Sequence, residues 1–140
     1  MSTPASTSEF LLLFRGPDWD EGLPLDELQR LMDDMTGWMN RLMTDGKMKT
    51  GQPLAHEGRL VSGAGGQRAV DGPFIESKET VGGYLVVRAA SLDEAAALAK
   101  GYPGLNHGIS VEVRPLLEEC PCFERARKRL GLKSSLITFK

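Results

Sequence analysis

The stretch from Val70 to Gly83, VDGPFIESKETVGG, gathers the groups in this sequence best suited to chemistry. It holds carboxylates at Asp71, Glu76 and Glu79, a cation at Lys78, and the large apolar side chains Phe74 and Ile75 between them. A carboxylate beside apolar side chains is partly desolvated, which raises its basicity and suits it to accept a proton from a substrate. Asp71 is the candidate general base on that argument. It also has a purely architectural reading. Asp accepts a hydrogen bond from a backbone N–H two residues on, Gly72 supplies backbone freedom and Pro73 fixes the exit, so Asp71-Gly72-Pro73-Phe74 is equally a turn. The alternating charges that follow suit a solvated strand edge, and Gly82-Gly83 permits a bulge or a close backbone approach.

Other reactive side chains are few. His56 in PLAHEG and His107 in GLNHGI sit beside glycines in loops, with no second ligand at metal spacing. Cys120 and Cys122, in ECPCF, have one residue between them; their disulfide closes a small, strained ring and nothing nearby completes a zinc tetrad, so they read as reduced, incidental thiols. No G-x-S-x-G, phosphate loop, H-E-x-x-H or dinucleotide fingerprint occurs. The residues therefore call for no metal and no cofactor.

These groups must be positioned by one compact domain, because 140 residues with 41% hydrophobic content supply a single core. Residues 9–15, EFLLLFR, form an apolar run too short for a helix and read as a buried central strand. Over residues 25–45 the apolar positions Leu28, Leu31, Met32, Met35, Trp38, Met39, Leu42 and Met43 recur at steps of three and four, which predicts a helix with one apolar face. Asp26 and Glu27 suit its first turn, and Gly46 suits a left-handed cap at its end. RLVS at 59–62 and QRAV at 67–70 flank a glycine-rich turn and predict a hairpin; GYLVVRA at 83–89 predicts a strand. Ser91 with Glu94 three residues on is a capping box for a short alanine-rich helix that ends at Gly101. ISVEVR at 109–114 alternates strictly and predicts a half-buried strand.

The resulting order is that of a ferredoxin-like βαββαβ unit, an α+β fold with an antiparallel sheet and two helices on one face. Leu11, Leu13, Leu85, Val87, Val111 and Val113 are too many apolar side chains for one covered face, and a second copy of the sheet is the simplest cover for the other. A homodimer is expected. Residues 1–8 read as a flexible start, 9–117 as the domain, and 118–140 as a basic tail with a short helix along Phe123, Ala126 and Leu130. With 17 Lys and Arg against 19 Asp and Glu, the net charge of -2 gives no general attraction to nucleic acid or an anionic membrane. The tail reads as a solvated helix face or a contact for a neighbour's acidic helix. GYLVVRA offers only Tyr84 for base stacking and ISVEVR no aromatic, which argues against an RNA-recognition motif. No apolar run suits a membrane span and MSTPASTSEF lacks the pattern of a secretory signal, so a cytoplasmic protein is the default expectation.

FLLLFRG at 10–16, the helix with Trp38, GQPL at 51–54, LVSG at 60–63, DGPFIESKETVGGY at 71–84, LAKGYP at 98–103 and SVEVRPL at 110–116 together resemble the YCII-related proteins, in the branch named for the DGPF block. The resemblance implies a ferredoxin-like fold that pairs through its sheets as a dimeric α+β barrel. For function it implies a His and an Asp together in a cleft, or, for the DGPF branch, an association with sigma factors of the extracytoplasmic-function type. The first helix here carries no histidine, so His56 or His107 must supply any such pair from a loop. Two functions follow. One is a small-molecule-binding or enzymatic domain whose cleft is lined by Arg15, Trp38, Asp71, Phe74 and Lys78, with Asp71 as base. The other is a non-catalytic regulatory or interaction module in which the DGPF turn is architecture.

Overall fold

The apolar run at the start forms β1 (Ser8–Arg15) at the centre of a four-stranded antiparallel sheet. The computed structural model describes residues 6–71, 80–135 and 137–139, with Asp71 through its backbone. After β1 come α1 (Leu25–Thr44), β2 (Met48–Pro53), β3 (Arg59–Ser62), β4 (Arg68–Asp71), β5 (Val81–Ala89), α2 (Leu92–Lys100), β6 (Ser110–Pro115) and α3 (Pro121–Arg129). The sheet order is β2-β5-β1-β6. That is the ferredoxin-like arrangement, in which β1 and β2 flank β5 and the helices cross one face.

β1 pairs with β5 from Ser8↔Ala89 to Phe14↔Gly83 and with β6 from Phe10↔Pro115 to Arg15↔Ser110. Because side chains alternate, Phe10, Leu12, Leu85, Val87 and Ala89 all point to the helices, where they meet Trp38 and Leu42 of α1 and Ala95 and Ala99 of α2. Leu12 and Val87 are fully covered. Burial of each stabilises the fold by roughly 1.5–3 kcal/mol. The two alanines let α2 approach the sheet closely, and the Ser91 hydroxyl accepts from the Glu94 N–H at 3.1 Å as the capping box predicts. α1 ends as its sequence directs, with Gly46 at φ 70°. The Lys47 ammonium reaches Glu94 at 3.3 Å and ties the exit of α1 to the start of α2.

Three expectations change. The strand that completes the sheet is Met48–Pro53, MKTGQP, which has no apolar alternation because it is an edge strand with exposed Lys49, Thr50 and Gln52. The 59–62 and 68–71 hairpin forms as expected, with Leu60 opposite Val70 and Val61 opposite Ala69, but it is a separate two-stranded ribbon inserted between β2 and β5. Finally, Val111 and Val113 pack on the helix-side core along with Leu85 and Val87. The other face therefore carries only Leu11 and Leu13 of the apolar set named from the sequence, next to Tyr84 and Val86 of β5.

The tail helix is present, and Phe123 and Ala126 are half-buried; Leu130, expected to line the same side, is 69% exposed. Arg127 forks onto Glu119 through Nε at 3.0 Å and Nη2 at 3.1 Å, and Lys128 reaches Glu124 at 2.9 Å. The fork holds the Glu119 carboxyl below the usual carboxylate range and the Arg127 guanidinium above its own. Two of the tail's cations, Arg127 and Lys128, are thus neutralised locally. No helix among the described residues is long and apolar enough to cross a membrane.

Candidate aromatic cleft

Near the end of β1 the helix-facing side chain is Phe14, and the chain brings two more rings to it. Trp38 comes from the middle of α1, where the three-and-four spacing turns it inward, and its indole N–H donates to the Leu98 carbonyl at 3.1 Å. Tyr102 comes from the turn after α2, where Gly101 ends the helix and Pro103 starts a 3-10 turn. Ring centroids lie 4.8 Å apart for Phe14 and Tyr102, 5.2 Å for Trp38 and Tyr102, and 6.3 Å for Phe14 and Trp38, all edge-to-face. Gly104 is required beneath them, because a Cβ there would run into the Tyr102 ring. Burial raises the Tyr102 phenol above its ordinary pKa, so the hydroxyl stays protonated.

The three rings form one wall of a cleft of about 350 Å³. The β2–β5 edge lines it as well, through Gly51, Gly82 and Gly83. Gln52 and Tyr84 stand at that edge, Met39 closes the helix side, and no charged side chain among the described residues lines the space. Among the described residues, such a lining offers an uncharged organic molecule apolar contact and offers a charged one no counter-charge.

Of the described residues named from the sequence, Trp38 stands in this cleft. Arg15 lies on the opposite face of the sheet, where its Nε meets Glu112 at 3.3 Å, because one step along a strand reverses the side chain's direction. Arg15 and Trp38 therefore do not share a site. Asp71 is the last residue of β4, paired with Arg59. Phe74 and Lys78, and with them most of the DGPF turn, lie outside the described residues.

The sequence reading missed Phe14 and Tyr102; the signal was present in FLLLFRG and GYP, but only the sheet register and the turn after α2 bring them to Trp38. It also left His56 without a partner. In the structure His56 Nε2 lies 3.5 Å from Asp18 Oδ1, with both side chains about half exposed. The Leu54 N–H donates to the Gly82 carbonyl at 2.9 Å, so the chain leaving β2 remains at the cleft rim just before His56. An imidazole beside a carboxylate can pass protons to and from a bound molecule. No group of three or more His, Cys, Asp or Glu among the described residues converges to hold a metal.

A model of the YCII-related domain matches residues 11–118. The chain belongs to the YCII-related family. An uncharacterised protein of Rhizobium meliloti (strain 1021) is 34% identical over 95 residues, 65% of this YCII-related chain and 77% of that one. Among solved structures, the 5-chloro-2-hydroxyhydroquinone dehydrochlorinase from Burkholderia phenoliruptrix AC1100, in complex with 2,5-dihydroxybenzoquinone, is similar to this chain with a TM-score of 0.42 and 18% identity, over 76% of this chain and 90% of that one.

Proposed function

We propose that this YCII-related protein, of the DGPF branch, is a small-molecule-binding domain of enzymatic type. Its ligand is a flat, uncharged organic molecule held between the Phe14–Trp38–Tyr102 wall and the glycine-rich β2–β5 edge. The observation that carries this reading is the cleft beside three packed rings, uncharged among the described residues and roughly the size of a small-ligand pocket. The protonated Tyr102 hydroxyl is a ready donor to a ligand oxygen. The His56–Asp18 pair, which stands outside the lining residues, is the candidate for proton transfer, with Asp71 as the rival base.

N-phenyl-1-naphthylamine, a neutral flat fluorophore, tests the cleft. In a Trp19→Phe background, where Trp38 is the remaining indole, the probe should quench Trp38 emission saturably. Met39→Trp, which fills the slot from the helix side, should weaken probe fluorescence at least about tenfold. Saturable binding that Met39→Trp leaves unchanged places the probe elsewhere and removes the reading. For a molecule found to be turned over, His56→Asn should abolish turnover with affinity held within about twofold. If Asp71→Asn does so and His56→Asn does not, the base is Asp71.

We also infer that a second copy covers the open sheet face. Leu11, Leu13, Tyr84 and Val86 form a half-buried row there, bordered by the Lys49–Glu9 pair at 2.8 Å and the Arg15–Glu112 pair at 3.3 Å. An apolar centre with a charged rim is the anatomy of a protein interface.

A further inference from the structure

Gly51, Gly82 and Gly83 all line the aromatic cleft, but they are not glycine for the same reason. None of them has a positive φ, so backbone conformation requires none of them. Gly51 is required by packing, because a Cβ there would run into the Leu85 side chain and the Tyr84 carbonyl. Gly83 is buried and tight as well: a Cβ would stand 3.1 Å from the Gln52 carbonyl oxygen and 3.3 Å from the Pro53 Cα. At Gly82 the nearest described atom to such a Cβ is the Phe14 carbonyl oxygen at 3.9 Å, an ordinary contact. Among the described residues, neither conformation nor packing explains why position 82 lacks a side chain.

Gly82 is also out of step with the sheet. The β1–β5 register passes from Phe14↔Gly83 to Arg15↔Val81, which makes Gly82 the extra residue of a β-bulge. On the β2 side its carbonyl accepts from the Leu54 N–H at 2.9 Å, and this bond holds the bulge against the chain leaving β2. A glycine inside a strand weakens it, whereas a bulge re-aims the chain beside a site. Here the bulge sets an exposed position without a side chain into the cleft lining.

We propose, on the reading of this cleft as a small-molecule site, that Gly82 is its specificity-determining residue and that the space beside it admits the outer part of a ligand longer than one aromatic ring. A cavity of about 150 Å³ holds a single benzene ring. The cleft measures about 350 Å³, so one ring against Phe14, Trp38 and Tyr102 leaves volume that a fused or linked second ring fills. The ligand class is therefore uncharged molecules of two or three rings. A side chain at position 82 shortens the accepted ligand while leaving the three-ring wall untouched.

The test uses the full chain in the Trp19→Phe background, follows the Trp38 indole N–H resonance by NMR, and titrates phenol, 2-naphthol and 4-phenylphenol, all uncharged at neutral pH. Wild type should respond saturably and bind the two-ring ligands more tightly. Gly82→Val should weaken 2-naphthol and 4-phenylphenol at least about tenfold and leave phenol within about twofold; Gly82→Ala should give a smaller loss in the same order. Both variants should melt no lower than wild type, since position 82 has an ordinary φ and room for a Cβ. An equal loss for all ligands, no loss, or a lowered melting temperature for Gly82→Ala overturns the proposal. A wild-type resonance that responds to none of the three removes the cleft reading itself, and the proposal with it.

Discussion

The two faces of β1 are built from the same residue types and end in different states. On the helix side Phe10 and Leu12 are 4% and 0% exposed, with Trp38, Val87 and Ala95 packed against them. On the other side Leu11 and Leu13 are only half covered, between strand neighbours and the ends of charged side chains. The first face is complete within one chain; the second has apolar side chains and, among the described residues, no helix layer over them. Apolar content alone does not distinguish the two, and it is the attachment of α1 and α2 to one side that does.

The sharpest way to break this comparison is Leu12→Ala. It should lower unfolding free energy by about 3 kcal/mol in urea denaturation, since a close-packed site cannot collapse on the void. Leu13→Lys places a charge at the centre of the opposite row. Light scattering should find it at monomer mass where wild type runs as a dimer; wild type at monomer mass across a wide dilution series would sink the second-copy reading. Trp38→Phe retains an aromatic ring but removes the indole donor to the Leu98 carbonyl, which keeps its bond from the Gly101 N–H, and should cost about 1 kcal/mol in the same denaturation assay.

The Glu119–Arg127 fork responds to acid. Glu119 has a lowered folded pKa, mainly through its hydrogen bond from Arg127, so its contribution is fully present above the ordinary carboxylate pKa and is lost as pH falls through the depressed value. Helix signal from α3 should fall in that window, and Glu119→Gln should remove the pH dependence. The smallest effect belongs to the exposed rim pairs. Raising salt to about 0.5 M should change the stability contributed by Lys49–Glu9 by less than about 0.5 kcal/mol, checked by a double-mutant cycle.

Much of this fold is written in local pattern. EFLLLFR, the Trp38 stripe, the Ser91–Glu94 box and ISVEVR each announce an element, and each forms within two residues of its expected bounds. MKTGQP does not announce itself, because an edge strand is held by its ladder to β5 and not by buried side chains. The site was harder to read for a related reason. Trp38 carries its own periodic signal, whereas Phe14, Tyr102 and the His56–Asp18 pair become neighbours only through strand register and loop return. Arg15 shows the opposite error: adjacent to Phe14 in sequence, it faces away from the cleft by the alternation of a single residue.

The β3–β4 ribbon has a kinetic consequence. All of residues 59–70 are exposed, and its strands pair with each other and with no strand of the main sheet. A lone two-stranded hairpin is barely stable in water, so this ribbon can open while the sheet stays shut. Its amides should exchange with solvent orders of magnitude faster than those of Leu12 and Val87, and a protease should nick it first. The chain thus has two separate clocks: slow global unfolding set by the core, and a fast local breathing confined to the arm that leads into the DGPF block.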